Sequence, residues 1–268
     1  MTEANQVLLT RREGAVLVLS NNNVAARNAL SPEFYAAVTA ALRDAASDPA
    51  VGAVVLTGEG GHFCAGGDLR QLARRRELPI EERRAKLEGL HDLIRLVRDF
   101  PKPVVAAVEG AAAGAGLSLA LACDMLVAAR NAVFSVAYVK VGLTPDGGAT
   151  AFLAEFVSRQ VLTELCLTGE RISGERLHAL GPVNRLAEPG QAQAEAVALA
   201  AQIASGPEQA MARIKDLCRQ APRNTLEQQL ELEAQYMVRS QETEESREGI
   251  GAFLDKRVAD FTGLRGKA

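Results

Sequence analysis

The chain predicts an α/β protein with a helical C-terminal region, and three observations carry that expectation. Short buried strands at Val51–Thr57, Val104–Val108 and Met125–Ala129 alternate with helical stretches. Two of those strands open into turns built from glycine and alanine. Strand signals then vanish from Glu195 onward, which divides the chain into a core of residues 1–194 and a helical region of residues 195–268. At 268 residues and 48% hydrophobic, the chain is long and apolar enough to bury a full core.

Taken in order, β-rich runs at Val7–Thr10 and Ala15–Ser20 come first. Ser31-Pro32-Glu33 then supplies an N-cap, a proline at the first helical position and an acid in the first turn. The helix that follows runs to about Ser47, with Phe34, Val38, Ala41, Leu42 and Ala45 on one face. Strand Val51–Thr57 leads through a glycine-rich turn into a charged helical region, Leu69–Phe100. Strand Val104–Val108 leads through a second such turn into helix Gly114–Ala122 and strand Met125–Ala129, with a further short strand near Val133. This is a β-β-α style of repetition. Pro207 and Pro222 separate the helical stretches of the C-terminal region, which run to about Arg257.

Composition narrows the function. Lysine and arginine total 30 against 33 acidic residues, and the net charge of −3 provides no general field for nucleic acid or an anionic membrane. The segment Gln71–Arg98 is rich in both signs and reads as a solvated helix face or as a local basic contact to a phosphate. The opening MTEANQVLLTRREG shows neither a signal nor a transit pattern, so a cytoplasmic location is expected. Cys64, Cys123, Cys166 and Cys218 are far apart, and His62, His91 and His178 lack metal-ligand spacing, so reduced thiols and no bound metal are expected. Pro103 to Ala129 is apolar, but Glu109, Asp124 and three glycines interrupt it, and no membrane span is expected.

The two small-residue turns are the candidate chemistry. The first is Gly58-Glu59-Gly60-Gly61-His62-Phe63-Cys64-Ala65-Gly66-Gly67-Asp68, and the second is Glu109-Gly110-Ala111-Ala112-Ala113-Gly114-Ala115-Gly116. Small residues let a ligand approach the main chain, and the first turn of a helix leaves N–H groups without intrahelical partners. Two such turns side by side make an oxyanion hole; taken singly, each also serves as a tight turn or a close packing point. A dinucleotide fold lacks G-x-G-x-x-G after its first strand, and a phosphate loop lacks Gly-Lys-Ser/Thr.

At these residues the chain resembles the enoyl-CoA hydratase/isomerase (crotonase) family. Phe63-Cys64-Ala65-Gly66-Gly67-Asp68-Leu69 is similar to that family's first oxyanion segment, and Glu109-Gly110 through Ala122-Cys123-Asp124 to its second. The likeness continues through Gly142-Leu143-Thr144-Pro145-Asp146-Gly147-Gly148, Leu167-Thr168-Gly169-Glu170-Arg171-Ile172-Ser173 and Phe253-Leu254-Asp255-Lys256-Arg257. The resemblance implies a spiral of β-β-α units, a C-terminal trimerisation region, a homotrimer or dimer of trimers, and an acyl-CoA thioester substrate handled without metal or redox cofactor. By position it assigns the two oxyanion donors to the backbone of Gly67 and Ala115, and Ala115 takes a place that is usually glycine. It sets the backbone near Ala29 and Ala65 against the CoA nucleotide, and it allows Lys256 to reach the CoA phosphates or adenine, across a subunit boundary, or to stand as a solvated lysine.

The two glutamates that the family's hydratases use correspond here to Ser118 and Tyr138. Serine has no useful basicity near neutrality, and tyrosine, with a reference pKa of about 10, rarely accepts a proton. Ser118 reads as a packed helix residue or a pocket lining, and Tyr138 as pocket lining or sheet packing. The carboxylate left near the site is Asp146, which is either an N-cap of the following apolar helix or the acid/base of an isomerase resembling those of phenylacetate degradation. Three readings follow: enoyl-CoA isomerisation through Asp146, hydration of a 2-enoyl-CoA with an unusual donor, and a noncatalytic acyl-CoA or RNA-binding scaffold.

Overall fold

The computed structural model describes residues 6–266, so the first five residues of the opening segment lie outside it. The main sheet has six strands: β1 (Leu8–Glu13), β2 (Val16–Asn21), β3 (Ala53–Gly58), β4 (Val104–Val108), β6 (Met125–Ala129) and β9 (Arg185–Ala187), in the order β1-β2-β3-β4-β6-β9. A hairpin pairs β1 with β2, and every later neighbour is parallel. The central strands read as unbroken runs of Val, Leu and Ala because both faces of a parallel sheet are covered. A second, smaller sheet of β5 (Ala111–Ala113), β7 (Val133–Ser135) and β8 (Ile172–Ser173) forms a ledge beside the first. A parallel bridge between Cys64 and Ala112 extends the ledge, and each step of the chain passes from main sheet to ledge to helix.

The helices bear out the capping expected at Ser31. α1 (Pro32–Ser47) starts with the Ser31 hydroxyl accepting from the Phe34 amide at 3.3 Å, and it buries Phe34, Val38, Leu42 and Ala45. The charged region 69–100 is two helices, α2 (Leu69–Arg75) and α3 (Ile80–Asp99), broken at Pro79. α4 (Ala115–Ala122) is buried along its whole length. α5 (Ala149–Ala154), α6 (Arg159–Thr168) and α7 (Gly174–Ala179) follow, with α5 packed between α4 and α6 and α7 against the ledge strands β7 and β8.

α8 (Ala192–Ala204) differs from expectation. It lies on β3, β4 and β6 and buries Ala192, Ala196, Leu199, Ala200 and Ala204, so the helical region beyond the core starts after it. Small alanine side chains let this helix sit close to the sheet. α9 (Glu208–Gln220), α10 (Leu226–Gln241) and α11 (Glu244–Leu254) pack in sequence on one another. α9 is tied to the core by Lys215, which lies 2.7 Å from the Asp124 carboxylate and donates to the Lys102 carbonyl. No helix among the described residues is long and apolar enough to cross a membrane.

Candidate active site

The first loop is laced by main-chain hydrogen bonds to β5, the strand that leads into α4. The Cys64 amide donates to the Ala111 carbonyl at 2.8 Å and the Ala113 amide to the Cys64 carbonyl at 3.0 Å. The approach is closer than side chains permit. A methyl group at Gly66, where φ is +103°, would sit 2.8 Å from the Ala113 carbonyl oxygen and 3.8 Å from the Ala115 nitrogen. A methyl at Gly116 would fall 2.4 Å from the Cys64 carbonyl oxygen. This packing sets Gly66, the residue before Gly67, against the Ala115 amide, so the two expected donors come from neighbouring backbone. Among the described residues neither of their amides donates a hydrogen bond. Ala115 is the first residue of α4, where helix geometry leaves its N–H without an intrahelical partner at the positive end of the helix.

The Arg27–Leu30 segment lies alongside. The Ala65 amide donates to the Arg27 carbonyl at 3.0 Å and the Leu30 amide to the Gly66 carbonyl at 2.8 Å, which sets buried Ala29 next to exposed Ala65. Arg27 and Asn28 have φ of +50° and +59°, and the Asn28 side chain holds that turn by donating to the Glu59 and His62 carbonyls at 2.8 and 2.6 Å. Lys256 is exposed just beyond α11, and no hydrogen bond or ion pair among the described residues joins its side chain to this segment.

Asp146, Ser118 and Tyr138 converge on the other side of α4. The Tyr138 hydroxyl donates to Oδ1 of Asp146 at 2.7 Å, and the Ser118 hydroxyl donates to the Asp146 carbonyl at 2.9 Å and lies 3.3 Å from the Tyr138 hydroxyl. The N-cap alternative for Asp146 is overturned: the cap of α5 is Gly148, and the carboxylate is spent on Tyr138 instead of the first-turn amides. Ser118 is fully buried and Tyr138 nearly so, which places both in the wall behind the carboxylate. A glutamate in place of Tyr138 would set a second carboxylate against Asp146, and two like charges at that distance do not both ionise.

Burial raises the Asp146 carboxyl above the ordinary aspartate value, while the Tyr138 hydrogen bond and the nearby His91 and Arg75 work against that rise. Burial, and then the Asp146 charge, push the Tyr138 phenol far above the ordinary tyrosine range. Tyr35 on α1 belongs to the same surroundings: burial pushes its phenol up to about 12, Arg75 opposes the rise, and the Asp146 charge adds to it. Sequence reasoning missed Tyr35, Arg75 and His91 as neighbours of Asp146. Their one visible signal was the basic run Arg74-Arg75-Arg76, read as a possible phosphate contact; Tyr35 carried none, because it stands more than a hundred residues from Asp146 in the chain.

The chain was then compared with known proteins. The family model described as enoyl-CoA hydratase/isomerase matches residues 11–264. The 1,2-epoxyphenylacetyl-CoA isomerase of Escherichia coli K12 is 34% identical, over 96% of this chain and 99% of that protein. The 2,3-dehydroadipyl-CoA hydratase of the same organism is 33% identical, over 96% and 98%. Among solved structures, an enoyl-CoA hydratase from Polaromonas sp. JS666 superposes with a TM-score of 0.92 at 49% identity, covering 94% of this chain and 98% of that one.

Proposed function

The chain belongs to the enoyl-CoA hydratase/isomerase family and has the crotonase fold of an acyl-CoA enzyme, and within that family we propose that it moves a double bond in an enoyl-CoA thioester, with Asp146 as the single acid/base. One observation carries this reading. Asp146 is held by Tyr138 and Ser118, which stand at the two hydratase glutamate places, and both hydroxyls are turned onto it.

In this mechanism the thioester oxygen accepts from the Gly67 and Ala115 amides. Asp146 takes a proton from C2 of a 3-enoyl group, and the C–H electrons flow into the C1–C2 bond and onto the thioester oxygen. The resulting dienolate collapses as Asp146 returns the proton to C4, which leaves the double bond between C2 and C3. Negative charge grows on the thioester oxygen in the transition state, so each preorganised donor there is worth roughly 3 kcal/mol. A carboxyl raised by burial is better matched to such a transfer than an ordinary aspartate.

The test is turnover of 3-hexenoyl-CoA, with mass spectrometry and ultraviolet absorbance followed together. Conversion to the 2-enoyl isomer at constant mass is the expected result, and gain of one water on the 2-enoyl compound would replace isomerisation by hydration. Asp146→Asn should keep the fold and lower kcat by roughly 10²–10⁴.

A further inference from the structure

Behind Asp146 the two hydroxyls have one hydrogen each, and the geometry fixes where they go. The Ser118 hydrogen is committed to the main chain, since Oγ lies 2.9 Å from the Asp146 carbonyl. An ionised carboxylate only accepts, so the bond of 2.7 Å between Tyr138 and Oδ1 must be donated by the phenol. Its length is near that of charge-assisted O–H···O⁻ bonds. Among the described residues Oδ2 of Asp146 has no hydrogen-bond partner. The turn after Asp146 packs tightly on Ser118: a methyl at Gly147 would fall 2.9 Å from the Ser118 Cβ.

We propose that Tyr138 is a positioning residue: its hydroxyl clamps Oδ1 of Asp146 so that Oδ2 alone carries the substrate proton, while Ser118 locks the backbone on which that carboxylate turns. The inference rests on the reading of Asp146 as the acid/base and deepens it. A single carboxylate that takes a proton at one carbon and returns it at another must present the same oxygen to both. A clamp on the other oxygen meets that need without blocking the path. The phenol keeps its own proton throughout, because burial holds it far above the ordinary tyrosine range. Ser118 and Tyr138 thus take the two places that carry hydratase glutamates and use them to orient one carboxylate.

The clamp has a pH signature. The groups facing Asp146 are Tyr138, Tyr35 from α1, Arg75 from α2 and His91 from α3, and of these Tyr138 is the one hydrogen-bonded to the carboxylate. Removing a donor to the ionised form raises the carboxyl, so in Tyr138→Phe the acid limb of kcat/KM moves to higher pH. Lost orientation lowers kcat roughly ten- to hundredfold with KM unchanged. A tyrosine that only fills space would move neither.

The assay is 3-hexenoyl-CoA isomerisation across pH by the full-length protein, the Tyr138→Phe variant, and protein carrying 3-fluorotyrosine at position 138. The fluorinated phenol keeps the shape and donates more strongly, so the limb is expected to move to lower pH; this arm decides the matter if the phenylalanine variant does not fold. A limb that stays in place in both proteins, with wild-type kcat, overturns the clamp. Asp146→Asn is run beside them: retained turnover there overturns the acid/base assignment and the clamp with it, whereas lost turnover with unmoved Tyr138 variants overturns the clamp alone.

Discussion

Asp146 is a charge held where a neutral group would be cheaper, and its stability consequence has a definite sign. Burial raises its folded pKa above the unfolded value of about 3.9. As pH rises from that value, the unfolded chain gives up the proton first, and the folded chain keeps it until the raised pKa is passed. Over that window the unfolded state binds fewer protons, so stability falls with rising pH. Asn at this position does not titrate. Wild type should therefore lose stability relative to Asp146→Asn as pH climbs through the window and then hold a constant difference above it. Denaturant midpoints of the two proteins between pH 4 and 7 measure this, and a difference independent of pH would show that the Tyr138 hydrogen bond and the nearby His91 and Arg75 cancel the effect of burial. What the sequence could say about this residue was limited: Asp-Gly-Gly ahead of an apolar helix is as good a cap pattern as a catalytic one. Tyr138, eight residues back, draws the carboxylate away from the cap position through a turn that local spacing does not reveal.

Among the elements, strands and capped helices were the most legible, because their signals are local. Val104–Val108 and Met125–Ala129 match the structure to the residue, and Ser31-Pro32 begins α1 where expected. The position of α8 was not legible, since an alanine-rich helix face gives no sign whether it will meet its own sheet or a second copy. The pairing of the two glycine-rich turns depends on a contact between distant segments, and Gly116 makes that contact testable. Its methyl-free surface rests on the Cys64 carbonyl, so Gly116→Ala must push α4 away from the first loop and part the Gly67 and Ala115 amides. The same substitution at Gly67 keeps the amide and meets only the end of Leu72, at 3.4 Å. Gly116→Ala should therefore lose about 1–3 kcal/mol of stability by overpacking and most of its turnover, while Gly67→Ala stays folded and active. Thermal melts with 3-hexenoyl-CoA turnover check both; equal activity in the two variants would mean that α4 does not depend on this contact.

At the scale of the whole molecule, α10 and α11 leave large apolar side chains in water. Leu226 is 71% exposed, Met237 62%, Phe253 83% and Leu254 72%, a degree of exposure that a stable surface rarely keeps along two adjoining helices. Among the larger apolar residues from α8 onward, Ile203 and Leu217 are half-buried within the protomer, whereas Ile214, Leu226, Leu230 and Phe253 are exposed. We expect a second copy of the chain to cover this face, in a trimer or a dimer of trimers. Lys256 gives the assembly a functional reading. It lies two residues past this apolar edge, exposed, with a backbone φ of +54°, and no hydrogen bond or ion pair among the described residues joins its side chain to the site loops. If it serves a CoA phosphate, it serves one bound to a neighbouring copy. Two variants separate these ideas. Phe253→Asp with Leu254→Asp should yield monomers in sedimentation at micromolar concentration and raise KM for acyl-CoA. Lys256→Ala should stay assembled and raise KM with kcat unchanged, because it removes binding felt equally in ground and transition states. A wild-type protein that sediments as a monomer ends the assembly reading. A Lys256→Ala trimer with unchanged KM leaves assembly standing and returns the lysine to solvent.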